Sequence, residues 1–84
     1  MSKNVLTIFS AEWCVNCKPY KTYLDRLGID YNDVDIETDK GSKEAARYNV
    51  RSLPTSLVEG PDGETLLLEA GTGAIDRVKA LMGK

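Results

Sequence analysis

The chain has 84 residues, 42% hydrophobic and 29% charged, with 11 basic and 13 acidic side chains and a formal net charge of −2. That length holds one domain, 1–84, which buries roughly 60–65% of its extended surface around a modest core. The charges of both signs are interspersed, which argues against a nucleic-acid surface, and no run reaches the roughly 18 apolar residues of a membrane span.

Met1-Ser2-Lys3-Asn4 and the short apolar stretch after it lack the core length and small-residue cleavage site of a secretory leader, so a cytoplasmic monomer is expected. Val5 to Phe9 is a short apolar run with β-branched members and reads as a buried strand. Ser10 to Trp13 form a loop. Tyr20, Tyr23, Leu24 and Leu27 then recur at helical spacing, predicting a helix from about Cys14 to Leu27, which Gly28 ends. Tyr31, Val34 and Ile36 mark a second strand. Ser42 caps a short helix through Tyr48, with Asn49 as terminator.

Pro54 to Glu59 and Glu64 to Glu69 flank the turn Gly60-Pro61-Asp62-Gly63 and predict an antiparallel hairpin. Thr72 or Gly73 opens a last helix in which Ile75, Val78, Leu81 and Met82 share a face. The order is β-α-β-α-β-β-α. The first β-α-β is a parallel crossover and the hairpin is antiparallel, so the sheet is mixed and four-stranded. Apolar runs such as Leu66-Leu67-Leu68 suit strands covered on both faces, giving an α/β three-layer sandwich. The acidic stretch from Asp33 to Asp39 reads as a solvated strand end and loop.

Cys14 and Cys17 are the only cysteines, and there is no histidine. Without histidine, Ser/His and Cys/His nucleophilic catalysis is excluded. Two thiols fall short of the four ligands of a structural zinc site, so no metal is expected. A four-residue disulfide loop stabilises a fold by only about 2 kcal/mol, which makes stapling a weak explanation. A redox dithiol fits better, with the reversible Cys14–Cys17 disulfide as its only redox centre.

Thiols at i and i+3 of a helix lie about 5–6 Å apart at Cβ, close enough to cycle between dithiol and disulfide. Cys14 at the N-terminal end meets unpaired N–H groups and the helix dipole, which favour its thiolate. It is therefore the expected nucleophile. Cys17, one turn further in, is the expected resolving thiol. Lys18 either adds positive potential near the thiolate or is a solvated helix residue. Pro19 sits where a missing N–H costs little. Trp13 either anchors the core or presents a surface to a partner.

At these residues the chain resembles the thioredoxin and glutaredoxin superfamily. Ala11-Glu12-Trp13-Cys14-Val15-Asn16-Cys17-Lys18 is similar to the thioredoxin active-site run, with Val15-Asn16 in place of Gly-Pro. Tyr48-Asn49-Val50-Arg51-Ser52-Leu53-Pro54-Thr55 resembles the segment carrying its cis-proline, and Gly63, Glu64 and Gly71 fall at matching offsets. The resemblance implies a thioredoxin fold, a cis Leu53–Pro54 peptide facing the dithiol, and a substrate surface formed by Trp13, Val15, Asn16, Leu53, Pro54 and Gly71, with Thr72 and Gly73 beside it. Only four residues precede the first strand, a trimming more like a glutaredoxin. Ile8 stands where thioredoxins bury an aspartate beneath the dithiol. The Val15-Asn16 dipeptide resembles small redoxins, including those that serve ribonucleotide reductase.

The resemblance thus implies reduction of protein disulfides, recharged by an NADPH-dependent thioredoxin reductase. The alternatives are a glutathione-recharged glutaredoxin, for which Gly71-Thr72-Gly73 and Asp76 are only a loose imitation of the glutathione site, a non-catalytic binding subunit, and an iron–sulfur carrier.

Overall fold

The computed structural model describes residues 3–84. Met1 and Ser2, the first half of the segment read above for a leader, lie outside the described residues. Four strands, β1 (Val5–Ser10), β2 (Asn32–Asp35), β3 (Thr55–Glu59) and β4 (Thr65–Ala70), form one mixed sheet in the order β2-β1-β3-β4. The β1–β2 pair is parallel and the β1–β3 and β3–β4 pairs are antiparallel, as the element order requires. Helices α1 (Cys17–Arg26), α2 (Asp39–Arg47) and α3 (Ile75–Leu81) complete the fold, α3 following a 3₁₀ turn at Thr72–Ala74.

Alternation along β1 divides its side chains between two cores. Leu6 and Ile8 pack with Tyr20 and Leu24 of α1, Val58 of β3 and Val78 of α3. Phe9 points the other way and packs with Leu57 and Ala45, beneath α2. The expected three layers are present, with α1 and α3 on one face and α2 on the other.

Several expected boundaries move. Helix α1 begins at Cys17, so Cys14 lies in the turn before it and not within the helix. Pro19 explains this: it has no N–H to bond the Val15 carbonyl, and the ladder starts with the Tyr20 N–H donating to the Asn16 carbonyl at 3.3 Å. Tyr23, on the margin of the predicted face, is 42% exposed. Strand β2 covers Asn32–Asp35, leaving Tyr31 and Ile36 outside it.

Helix α2 starts at Asp39, three residues before the expected cap at Ser42. Thr38 is the cap, its Oγ1 accepting the Gly41 N–H at 2.9 Å. Asn49 closes the segment with φ 56°, in the left-handed region that asparagine tolerates. Strand β4 is a sheet edge with Leu66 and Leu68 each 42% exposed, so the expected cover on both its faces is incomplete. An apolar triplet does not distinguish an edge strand from a central one.

Candidate active site

Three segments meet at the end of the sheet where β1 finishes. The chain leaves β1 at Ser10 and runs through Ala11–Asn16 into α1. Phe9 is in register with Thr55, which sets Pro54 beside the end of β1. The Gly71 N–H donates to the Pro54 carbonyl at 2.7 Å, bringing the β4–α3 connection to the same place. Gly71 has φ 91°, a conformation that favours glycine.

Cys14 and Cys17 are joined as a disulfide, with Cα atoms 5.4 Å apart. The turn that brings them together is closed by the Cys17 N–H donating to the Cys14 carbonyl at 3.3 Å. This turn replaces the helical spacing expected above and serves the same end. Their surroundings differ. Cys14 keeps 7% of its surface, whereas Cys17 is fully buried on the α1 face that also buries Tyr20 and Leu24.

Asn16, the N-cap of α1, gives no side-chain hydrogen bond to the helix, and no acidic residue stands in the first turn. The N–H groups of Val15, Asn16 and Lys18 have no partner among the described residues. An anion beside this end of α1 therefore meets unspent donors and the positive end of the dipole.

Trp13 is 64% exposed and Val15 85% exposed, so Trp13 is a surface residue and not a core anchor. Asn16 and Lys18 are also exposed, while Pro54 is buried and Leu53 and Gly71 are half-buried. The Leu53–Pro54 peptide is cis. Gathering at this one end are the loop from Trp13 to Asn16, Leu53–Pro54 and Gly71, the segments expected to form a substrate surface. A cavity of about 490 Å³ lies elsewhere, between Val5, Leu6, Gly28 and Asn32, at the opposite end of β1. No group of three or more His, Cys, Asp or Glu side chains suited to a metal ion occurs among the described residues.

The glutaredoxin family model matches residues 6–60. A thioredoxin of Bacillus subtilis is 33% identical over 84 residues, covering 95% of this chain and 80% of that protein. A candidate glutaredoxin of Mycobacterium tuberculosis is 35% identical over 82 residues, covering 94% of this chain and 90% of that one. Among solved structures, a Trichomonas vaginalis thioredoxin superposes with a TM-score of 0.78 at 25% identity, over 95% of this chain and 77% of that one. The chain belongs to the thioredoxin and glutaredoxin superfamily. With its dithiol pair, this redoxin is a thiol–disulfide oxidoreductase.

The redoxin also carries polar groups that motif reading passes over. Ile8 is in register with Asp33 on one side and Ser56 on the other, and Ser56 with Glu69. Register partners share a face, so these four residues form one level across the sheet beneath α1 and α3. Each polar member is met by a helix side chain. Lys21 Nζ reaches Asp33 Oδ2 at 2.9 Å, and the Ser10 hydroxyl donates to Asp33 Oδ1 at 2.7 Å. The Tyr20 and Ser56 hydroxyls pair at 2.7 Å, both residues buried. Arg77 of α3 holds Glu69 through two hydrogen bonds. Burial pushes the Tyr20 phenol above its ordinary pKa, while the Arg77 hydrogen bond pulls Glu69 below the usual carboxylate range. No local sequence signal marks this level, since its residues and their partners come from six separate elements.

Proposed function

We propose that this redoxin reduces disulfides in protein substrates, with Cys14 as nucleophile and Cys17 as resolving thiol. The observation that carries the reading is the asymmetry of the pair: Cys14 keeps some surface beside unspent N–H groups, and Cys17 keeps none. The Cys14 thiolate attacks a substrate disulfide, forming a Cys14–substrate bond and releasing the first substrate sulfur as a thiolate. Cys17 then gives its proton to water and attacks the Cys14 sulfur as a thiolate. The Cys14–Cys17 bond forms, the Cys14–substrate bond breaks, and the second substrate sulfur leaves with the electron pair. The substrate gains two electrons and the dithiol loses two.

Trp13 and Val15 offer an apolar rim beside Cys14, suited to an extended protein segment. Leu53, Pro54, Asn16 and Gly71 belong to the same docking surface, and Lys18 adds positive potential at its edge. Thioredoxin reductase and NADPH recharge the dithiol in the cytoplasm. A ribonucleotide reductase disulfide is a substrate of the right class.

The glutaredoxin family match gives a second reading, recharging by glutathione. The two part in a turnover assay on insulin disulfides. Thioredoxin reductase plus NADPH is expected to sustain faster reduction than glutathione at the same redoxin concentration, and efficient turnover with glutathione alone overturns the first reading.

A further inference from the structure

We infer that the buried Tyr20–Ser56 hydroxyl pair donates a hydrogen bond to the thiolate of Cys17 when the disulfide opens. The inference rests on the reading of Cys17 as the resolving thiol. It begins from a count of hydrogens: the two hydroxyls carry two, and their mutual bond uses one. The second O–H of this buried pair has no acceptor among the hydrogen bonds that Tyr20 and Ser56 make with described residues.

The next buried residue of α1 toward its N-terminus is Cys17. Cys17, Tyr20 and Leu24 are the buried stripe of α1, and residues three apart on a helix are about 5–6 Å apart at Cβ. Helix side chains lean toward the N-terminus, so the Tyr20 ring covers the turn that begins at Cys17. In the disulfide, the Cys17 sulfur is committed to Cys14. Reduction frees it as a polarisable acceptor, and a buried thiolate without a donor is costly.

The other charged groups around this level are occupied. Asp33 of β2 is bound by Lys21 of α1 and Ser10 of β1, and Glu69 of β4 by Arg77 of α3. Ile8 of β1 brings no polar atom to the middle of it. The Tyr20–Ser56 pair is the buried neutral donor at this level with a hydrogen still uncommitted. Tyr20 stays protonated across the working pH range because burial raises its pKa, so it donates and does not act as a base.

The test is the titration of Cys17 alone, followed by thiolate ultraviolet absorbance in a Cys14→Ser background, with and without Tyr20→Phe plus Ser56→Ala. Replacing both partners of a buried hydrogen bond is nearly neutral for folding, so the double change separates the effect on sulfur from stability. A hydrogen bond to a charged group is strong enough that its loss should lower the Cys17 thiolate fraction at neutral pH about ten-fold. The same double change in a Cys17→Ser background should leave the Cys14 titration in place.

A Cys17 midpoint unmoved by the double change overturns the inference, as does a shift of equal size in Cys14. So does an Asp33→Asn variant that moves Cys17 when the double change does not. Trapping of a mixed disulfide by Cys17→Ser tests the assignment of roles separately. A normal trap with an unmoved Cys17 titration defeats this inference alone.

Discussion

Cys14→Ser is expected to reduce the rate of insulin-disulfide reduction to that of buffer, whereas Cys17→Ser is expected to accumulate a covalent adduct with its substrate. The difference follows from access. Cys14 keeps some surface through which a substrate disulfide can meet it, and Cys17 keeps none until its neighbour has been engaged. Removing Cys14 removes the first bond-forming step. Removing Cys17 leaves that step intact and deletes the second, so the mixed disulfide persists until an outside thiol releases it. Mass spectrometry of the unreduced reaction mixtures distinguishes the two variants. An adduct in Cys14→Ser and none in Cys17→Ser would reverse the roles.

Gly41→Ala carries the largest expected effect on stability, with a sign opposite to helix propensity. Gly41 lies within α2, where alanine is ordinarily worth about 1 kcal/mol more than glycine. Here the added Cβ would stand 1.8 Å from the Asp35 carbonyl oxygen, which is backbone and cannot swing aside, and 2.8 Å from the Thr38 Oγ1 that caps the helix. That carbonyl accepts the Thr38 N–H at 3.2 Å and its hydroxyl at 2.8 Å, so relieving the clash also loosens the β2–α2 turn. Overpacking and a lost cap together should destabilise by about 3 kcal/mol. For a chain of this size that is a large part of a total of roughly 4–13 kcal/mol. Urea unfolding should show a lower midpoint with an unchanged slope. A midpoint equal to or above that of the parent chain would contradict the geometry.

These two expectations mark where sequence was legible and where it was not. The Cys14–Cys17 spacing, the Gly60–Gly63 turn and the Asn49 stop announce themselves locally, because each depends on residues a few positions apart. Together they carry the element order and the mixed sheet. The start of α1 is not legible in the sequence because the apolar period runs smoothly into Cys14. The missing Pro19 N–H, a single atom, decides the boundary. The start of α2 was misplaced because Thr38 and Ser42 are both good caps, and only the fit of Gly41 against Asp35 selects Thr38. The exposure of Trp13 depends on the packing of its loop, which no local pattern announces. The Tyr20–Ser56 pair joins residues 36 positions apart and leaves no local pattern. Motifs reveal which atoms react, while the groups that tune them come from register and packing.

The most direct measurement is the pH dependence of Cys14 alkylation in the Cys17→Ser variant. Unspent N–H donors at the start of α1 should hold the thiolate, so that the rate inflects clearly below the value of a free cysteine. An inflection near ~8.5, the value of a free cysteine, would show that the α1 terminus does not activate this sulfur.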